Sequence, residues 1–219
     1  ITGFGKQTGA FVIFKERSLY YMGEVENENV TADDIIAGKI IDVSLSKYYY
    51  PVFPLSSYVG CNDGAYIRLC CNRLVFAGSD GEIYAIRYIS NKSTANNIMK
   101  LSDNIKRSER KKGGMAFKFR DYYGVTAAPD SGIHVLNTDN YGFVSSSTYY
   151  KESSSRMQEW YYWTLSELFT KMDTPVFIGE SESENDTTIY AAVLSGDKTN
   201  VVAISFTTDA ENDEYIDNK

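Results

Sequence analysis

Histidine and cysteine are scarce in this chain of 219 residues, which contains one histidine, His134, and three cysteines. A single histidine excludes a metal site built on two histidines and disfavours a Ser-His-Asp catalytic triad. Cys61, Cys70 and Cys71 form no CxxC pair and are too few for a disulfide framework, so we predict buried thiols. The sequence therefore predicts neither a metal ion nor a cofactor, and its cysteines suit a reducing cytoplasm.

Long apolar runs and an excess of positive charge are also missing. No stretch approaches the roughly 18–20 apolar residues that a membrane-spanning helix needs. The 29 acidic and 22 basic residues give a formal net charge of −7, which argues against a dedicated nucleic-acid-binding protein. Glycine-rich phosphate-binding motifs and EF-hand calcium loops are absent as well. We predict a protein without a membrane span and without a nucleotide site.

Hydrophobic and aromatic residues are plentiful, at 43% and 14% of the chain, and 18 of the aromatic residues are tyrosines. This content is enough for a sizeable core, so we treat residues 1–219 as a single domain. The chain begins with Ile1 rather than methionine and runs out in an acidic, polar stretch. We therefore expect it to be a fragment of a larger chain.

Short β-branched and aromatic runs joined by turns recur along the sequence and predict four β-hairpins. The hairpins cover residues 10–22, 73–86, 122–136 and 176–193. Their recurrence about every 50–60 residues, with further strand-like segments between them, is typical of radial β repeats. A Greek-key sandwich, which needs a turn signal about every 8–12 residues, is the alternative. We predict an all-β fold: a β-propeller-like radial array of antiparallel four-stranded sheets.

One or two short helices are expected to interrupt the strands. In residues 94–112, the apolar residues Ile98, Leu101 and Ile105 are spaced by three and four, as on one face of a helix. Residues 31–38 and 165–172 are weaker helix predictions, each with a capping threonine or serine.

Glycosidases on propeller scaffolds use a pair of carboxylates for catalysis. The chain has five candidate residues for such a pair, namely Glu16, Asp63, Asp80, Asp130 and Glu167. All but Glu167 lie in turn-like contexts. An aspartate in a turn usually accepts hydrogen bonds from its own backbone, so we favour a structural role for these residues over catalysis. We predict that the chain is not an enzyme.

A basic cluster lies at the end of the main predicted helix and is the candidate binding site. It consists of Lys106, Arg107, Arg110, Lys111 and Lys112. The acidic tract at residues 180–184, which we place on a hairpin loop, is its candidate partner on a neighbouring copy. The alternatives are a solvated face and a channel lining that meets passing DNA.

Reversing the charges of Lys111 and Lys112 to glutamate tests the role of the basic cluster. Exposed ion pairs contribute about 0–1 kcal/mol each and fix register more than affinity. We expect the double variant to assemble less at low salt, as measured by light scattering across salt concentrations. Unchanged assembly at every salt concentration would contradict a role in subunit contacts.

Tyrosine and tryptophan clusters recur beside the predicted strands. Neighbouring residues on a strand face opposite ways, so one aromatic of each pair is expected to pack between sheets and the other to face outward. Outward aromatics suit a protein interface or stacking on sugar. The clusters are Tyr20-Tyr21, Tyr48-Tyr49-Tyr50, Tyr122-Tyr123, Tyr149-Tyr150 and Trp160-Tyr161-Tyr162-Trp163.

Nine segments follow one another in a recognisable order. They are residues 1–4, 11–20, 60–67, 72–84, 101–105, 121–125, 133–139, 159–164 and 202–208. Residues 72–84, for example, read Asn-Arg-Leu-Val-Phe-Ala-Gly-Ser-Asp-Gly-Glu-Ile-Tyr, a strand, a turn and an aromatic-bearing strand. The series resembles the tail-hub, nozzle and head-closure propellers of tailed bacteriophages, and the chain is long enough for about four blades of such a propeller.

The resemblance implies a structural, non-enzymatic virion component of the phage tail or neck, assembled in the host cytoplasm. It also implies a ring of identical copies, often six, around the DNA exit channel. The implied partners are other tail or portal-proximal proteins and, transiently, the passing double-stranded DNA. The resemblance carries over no catalytic residue. The alternative from another class is a carbohydrate-binding or carbohydrate-active propeller of a bacterial surface.

Overall fold

The structure of the chain is a computed structural model. The described residues are 1–26, 48–87, 89, 97–103, 105, 116–119, 122–126, 133–138, 158–163, 176–182, 186–195, 198–208 and 215–218.

The described strands form four antiparallel sheets of four strands each. The first sheet contains, in spatial order, β1 (Gly3–Gln7), β2 (Ala10–Phe14), β3 (Leu19–Met22) and β6 (Val52–Ser56). Between β3 and β6, β4 (Val25–Glu26) pairs with β5 (Tyr48–Tyr49). The second sheet contains β7 (Arg68–Cys70), β8 (Arg73–Ala77), β9 (Ile83–Ile86) and β10 (Ile98–Lys100). The third contains β11 (Ala116–Phe119), β12 (Tyr122–Thr126), β13 (Ile133–Asn137) and β14 (Glu159–Trp163). The fourth contains β15 (Val176–Glu182), β16 (Asp186–Ser195), β17 (Lys198–Thr208) and β18 (Tyr215–Asn218).

All four predicted hairpins are confirmed, as β2–β3, β8–β9, β12–β13 and β15–β16. The first three join the second and third strands of their sheets, whereas the fourth joins the first and second strands of its sheet. The predicted spacing of 50–60 residues therefore compares hairpins that do not occupy the same place in their sheets. Measured at the same position, the second strands of the four sheets begin at residues 10, 73, 122 and 186.

The sheets stack so that equivalent strands are neighbours. The first strands contact one another in series, β1 with β7, β7 with β11, and β11 with β15. At the fourth strands, the Asn97 side-chain amide donates a hydrogen bond to the Leu55 carbonyl (3.4 Å). The Trp160 indole N–H likewise donates to the Leu101 carbonyl (2.9 Å), joining the second and third sheets. Separate sheets stacked in register confirm the predicted propeller-like all-β fold, whereas a sandwich would have two sheets.

The first and second sheets are joined by an aromatic pair and a buried amide. The rings of Phe14 and Phe76, both fully buried, meet edge to face with their centroids 5.1 Å apart. The Gln7 side chain is also buried; its Nε2 donates to the Ile86 carbonyl (3.1 Å) and its Oε1 accepts from the Leu74 backbone N–H (2.6 Å). A buried amide with both ends satisfied fixes the register of the two sheets.

The second and third sheets are joined by a buried tyrosine. The Tyr123 side chain is fully buried, and its hydroxyl donates to the Tyr66 carbonyl (3.0 Å). The Cys71 thiol and the Thr138 hydroxyl also meet across the two sheets, with Sγ and Oγ1 3.4 Å apart. Both of these junctions thus combine apolar packing with at least one hydrogen bond to the backbone or a side chain.

The first sheet differs from the next two in how many of its faces are covered. In β8, β9 and β13 the first four residues are all buried, so both faces of the second and third sheets are covered at these inner strands. In β2 and β3, buried residues such as Val12 and Phe14 alternate with partly or largely exposed ones, such as Phe11. One face of the first sheet is therefore covered and the other faces solvent.

The helix predicted over residues 94–112 is wrong where the structure describes it. Ile98–Lys100 forms β10, in which Ile98 pairs with Ile86 of β9. The Leu101 backbone N–H also donates to the Ile83 carbonyl (2.8 Å). The spacing of the apolar residues is compatible with a helix or a strand, and this segment forms a strand because its backbone pairs with β9.

The remaining helix predictions, at residues 31–38 and 165–172, lie outside the described residues, as does the rest of 94–112. A 3-10 turn at Gly64–Tyr66 is present instead. In the part of the chain that the structure describes, no helix is long and apolar enough to cross a membrane.

Alkaline pH is expected to destabilise the fold. Burial raises the pKa of Tyr123 well above 10.0, that of Tyr66 to about 12 and that of the Cys61 thiol to about 11. A raised folded-state pKa means that the stability is fully present below the unfolded-state pKa and is lost as the pH rises through the folded-state value. The free energy of unfolding should therefore fall above about pH 9 because of Cys61, and more steeply above about pH 10, where Tyr66 and Tyr123 also contribute.

Urea denaturation at several pH values measures this loss. Tyr123→Phe removes one of these groups, so its stability should fall less steeply above pH 10 than that of the unmodified chain. Equal slopes for the two proteins would show that the Tyr123 hydroxyl is not buried as described.

Candidate functional site

The predicted basic cluster lies outside the described residues, so Lys106, Arg107, Arg110, Lys111 and Lys112 remain predictions. The predicted acidic loop is corrected in part. Residues 180–182 belong to β15, where Glu180 pairs with Ile189 and Glu182 with Thr187. The backbone ladder with β16 continues through these polar positions, because strand pairing depends on main-chain hydrogen bonds rather than on apolar side chains.

Two of the five candidate carboxylates, Glu16 and Asp80, come together at one pocket. Asp63 is elsewhere and caps the 3-10 turn, where its Oδ1 accepts from the Ala65 backbone N–H (2.8 Å). Asp130 and Glu167 lie outside the described residues. The turn-capping role that we favoured is confirmed for Asp63.

The pocket lies where three loops of the first two sheets meet. These are the β2–β3 loop, the segment after β6 and the β8–β9 loop. The pocket has a volume of about 350 Å³ and opens to solvent. Its lining consists of Glu16, Arg17, Ser57, Tyr58, Val59, Gly60, Ser79 and Asp80. The Tyr58 side chain is 62% exposed.

Backbone contacts hold the three loops together. The Ser79 backbone N–H donates to the Gly60 carbonyl (3.0 Å), and the Cys61 N–H donates to the Lys15 carbonyl (2.9 Å). The Ser79 hydroxyl donates to the Glu16 carbonyl. Gly60 is required because a Cβ there would overlap the backbone of Glu16 and Arg17. The pocket therefore has a rigid base.

Asp80 stabilises its own turn. Its Oδ1 accepts from the Glu82 backbone N–H (3.1 Å) and its Oδ2 accepts from the Tyr84 hydroxyl (2.6 Å). Burial, followed by the hydrogen bond to Asp80, raises the pKa of Tyr84. The capping role is thus confirmed for Asp80 too, and both of its carboxylate oxygens have partners within the protein.

A second cluster of charge lies at the end of the second sheet. The buried Glu82 carboxylate accepts from the Ser102 hydroxyl (2.6 Å), and its Oε2 lies 3.4 Å from Lys100 Nζ. Lys100 Nζ also lies 2.9 Å from Asp103 Oδ1. The Ser102 hydroxyl in turn accepts from the Ile83 backbone N–H (3.0 Å), so this cluster ties β9 to the segment after β10.

The cysteines are thiols, as predicted: Cys61 and Cys70 are buried and Cys71 is half-buried. His134 is buried in β13 and its ring lies edge-on to that of Trp160, with the centroids 6.3 Å apart. Among the residues that the structure describes, no three His, Cys, Asp or Glu side chains are grouped to hold a metal ion.

A second candidate site is the solvent-facing side of the first sheet, here called the outer face. It contains two rows of paired residues: Phe4, Ile13, Tyr20 and Pro54 in one, and Lys6, Phe11, Met22 and Val52 in the other. The exposed fractions of Phe4, Phe11 and Val52 are 54%, 41% and 51%. The rings of Phe4 and Phe11 stack with their centroids 5.3 Å apart. An aromatic surface of this kind on a sheet is typical of an interaction site.

Most residues of both sites are not predictable from the sequence. Arg17, Ser57, Tyr58 and Ser79 reach the pocket only because loops distant in sequence meet there. The outer face did have a signal. The run Ala10–Phe14 is apolar at consecutive positions, and a strand without alternation is expected to be covered on both faces.

Comparisons with known proteins found no match to the chain among family models, curated proteins or solved structures.

Proposed function

We propose that the chain is a structural, non-enzymatic component of a bacteriophage tail or neck, which assembles with copies of itself around the DNA exit channel. The observation that carries the proposal is the outer face. A propeller-like stack with an apolar end surface is suited to joining other subunits. The phage assignment rests on the ordered resemblance of the nine sequence segments to virion propellers.

The propeller-like arrangement also supports a role in a ring. Its sheets are held together by apolar packing and buried hydrogen bonds, such as those of Gln7 and Tyr123, which suit a rigid scaffold. The carboxylates that reach the pocket do not favour catalysis, because Asp80 is engaged by its own turn. Transient contact with DNA through Lys106, Arg107, Arg110, Lys111 and Lys112 remains part of the proposal.

The genomic neighbourhood tests the phage assignment most directly. Sequencing the DNA that flanks the gene should reveal genes for a portal or for other tail proteins. Neighbouring genes for carbohydrate uptake, together with an encoded secretion signal upstream of Ile1, would instead favour a bacterial surface protein.

A carbohydrate-binding function is the second candidate, and the pocket is the observation that favours it. An exposed aromatic ring beside charged and hydroxyl groups, here Tyr58 with Arg17, Glu16 and Ser57, suits stacking and hydrogen bonding to a sugar. Titration calorimetry with a panel of oligosaccharides would detect such binding, and Tyr58→Ala should abolish it. Binding lost in this variant would favour the second candidate over the first.

A further inference from the structure

We infer that the outer face of the first sheet binds the exposed face of the fourth sheet of a second copy, head to tail. The inference rests on the proposed function, in which copies of the chain assemble, and it names the two surfaces that would meet.

The outer face is made mostly of apolar and aromatic residues, as is usual for a sheet face that is buried. Seven of its eight residues are apolar or aromatic, and the eighth is Lys6. The rings of Phe4 and Phe11 stack on each other in solvent. Burying such side chains against a partner would remove apolar surface from water, which favours association.

Neighbouring sheets cover the equivalent faces elsewhere in the molecule. β2, β8 and β13 occupy the second or third position of their sheets and have similar apolar runs. The runs in β8 and β13 are buried on both sides because their sheets have a neighbouring sheet on either side. The run in β2 is buried on one side only. The missing cover is therefore expected to be another four-stranded sheet.

The fourth sheet also has an exposed face that carries apolar and aromatic residues. Ile189 is fully buried, whereas the next residue, Tyr190, points the other way and is 39% exposed. Tyr190 pairs with Ala203, which is also exposed, and Val201 on the same face of β17 is 66% exposed. The Thr188 and Ser205 hydroxyls are hydrogen-bonded to each other on this face (3.0 Å). The side chains described on this face are thus small, β-branched or aromatic.

Charge favours this pairing of faces over the pairing of two outer faces. The outer face carries Lys6, and Lys15 Nζ lies 4.6 Å from the centre of the Tyr20 ring at its rim. Two outer faces would bring these lysines together, which is repulsive. The side chains described on the exposed face of the fourth sheet are uncharged, namely Ser181, Thr188, Tyr190, Val201, Ala203 and Ser205.

The geometry predicts weak, directional association. Four strands of four or five residues cover roughly 19 by 16 Å, or roughly 300 Å² in projection. A standard interface buries about 800 Å² on each partner, so one such contact is at the weak end of the range. Because two different faces meet, the contact is heterologous and continues from copy to copy until a ring closes.

Sedimentation velocity of single-face variants tests the inference. Phe11→Glu blocks the outer face, Val201→Lys blocks the exposed face of the fourth sheet, and Leu69→Glu, at a 44% exposed position of β7, is the matched control. At up to about 500 µM protein, a contact with a dissociation constant near 100 µM is mostly occupied. We expect the unmodified chain and Leu69→Glu to associate beyond a dimer, and each face variant alone to remain monomeric.

A mixture of the two face variants tests whether the two different faces bind each other. Phe11→Glu retains an intact fourth-sheet face and Val201→Lys retains an intact outer face, so the mixture should form a one-to-one dimer and nothing larger. Circular dichroism of each variant checks that it is folded, which the exposure of all three positions favours.

The other outcomes overturn the inference in distinguishable ways. If Val201→Lys dimerises alone, two outer faces meet each other. If the unmodified chain associates and both face variants still do so, other surfaces assemble it and only the inference fails. If the unmodified chain is monomeric throughout, a sheet of the same chain or another partner covers the outer face, and self-assembly in the proposed function fails as well.

Discussion

Replacing Phe14 by alanine is expected to lower the free energy of unfolding by about 3–5 kcal/mol, the range observed when a buried phenylalanine is truncated. The Phe14 ring is fully buried between the first two sheets and meets Phe76 edge to face. Alanine would remove the transfer free energy of the ring and leave a cavity that the strands on either side cannot fill.

Phe11→Ala is the matched control for this prediction, because it makes the same chemical change three residues away in β2 but on the outer face. At 41% exposure its ring contributes much less burial, so we expect a loss below about 1.5 kcal/mol at dilute protein concentrations. Urea denaturation of both variants measures the difference. Equal losses would contradict the one-sided covering of the first sheet.

Gly60→Ala is expected to cost about 3 kcal/mol or more, despite adding a single methyl group. The added Cβ would overlap the backbone carbonyl of Glu16 and the backbone nitrogen of Arg17. Backbone atoms cannot rotate away as a side chain can, so the β2–β3 loop must move. That movement strains the neighbouring hydrogen bond from the Cys61 N–H to the Lys15 carbonyl (2.9 Å).

Gly23→Ala is the control for Gly60→Ala. A Cβ at residue 23 would meet only side-chain atoms of Tyr21 and Phe53, the nearest at 3.5 Å, which is ordinary contact. We expect its effect to lie within about 0.5 kcal/mol of zero. Thermal unfolding followed by circular dichroism compares the two variants, and a Gly60→Ala protein as stable as Gly23→Ala would contradict the described junction of the three loops.

The hairpins were predictable because their signals are local. In residues 10–22 and 73–86, apolar runs flank short polar or glycine-containing turns, and the pairing partner is the next run along the chain. The propeller-like class followed from their recurrence. The recurrence did not show which strands of each sheet form the hairpin. The fourth predicted hairpin joins the first and second strands of its sheet rather than the second and third.

The failed predictions depended on partners that lie far away in sequence. Ile98–Lys100 fits a helical spacing, but its backbone pairs with β9. Residues 180–182 are polar, and β16 nevertheless extends β15 through them. The pocket gathers Glu16 and Asp80 because Gly60 lets two loops approach closely. None of these contacts leaves a periodic pattern in a single segment.

The first sheet packs on the second through one face and leaves its other face in solvent. A double-mutant cycle between Phe14→Leu and Phe76→Leu, measured by urea denaturation, tests this arrangement. The contact between these rings predicts a coupling free energy of about 0.5–1.5 kcal/mol, whereas Phe11→Leu and Phe76→Leu should be additive within about 0.5 kcal/mol. Additive effects for Phe14 and Phe76, with coupling between Phe11 and Phe76, would contradict the account.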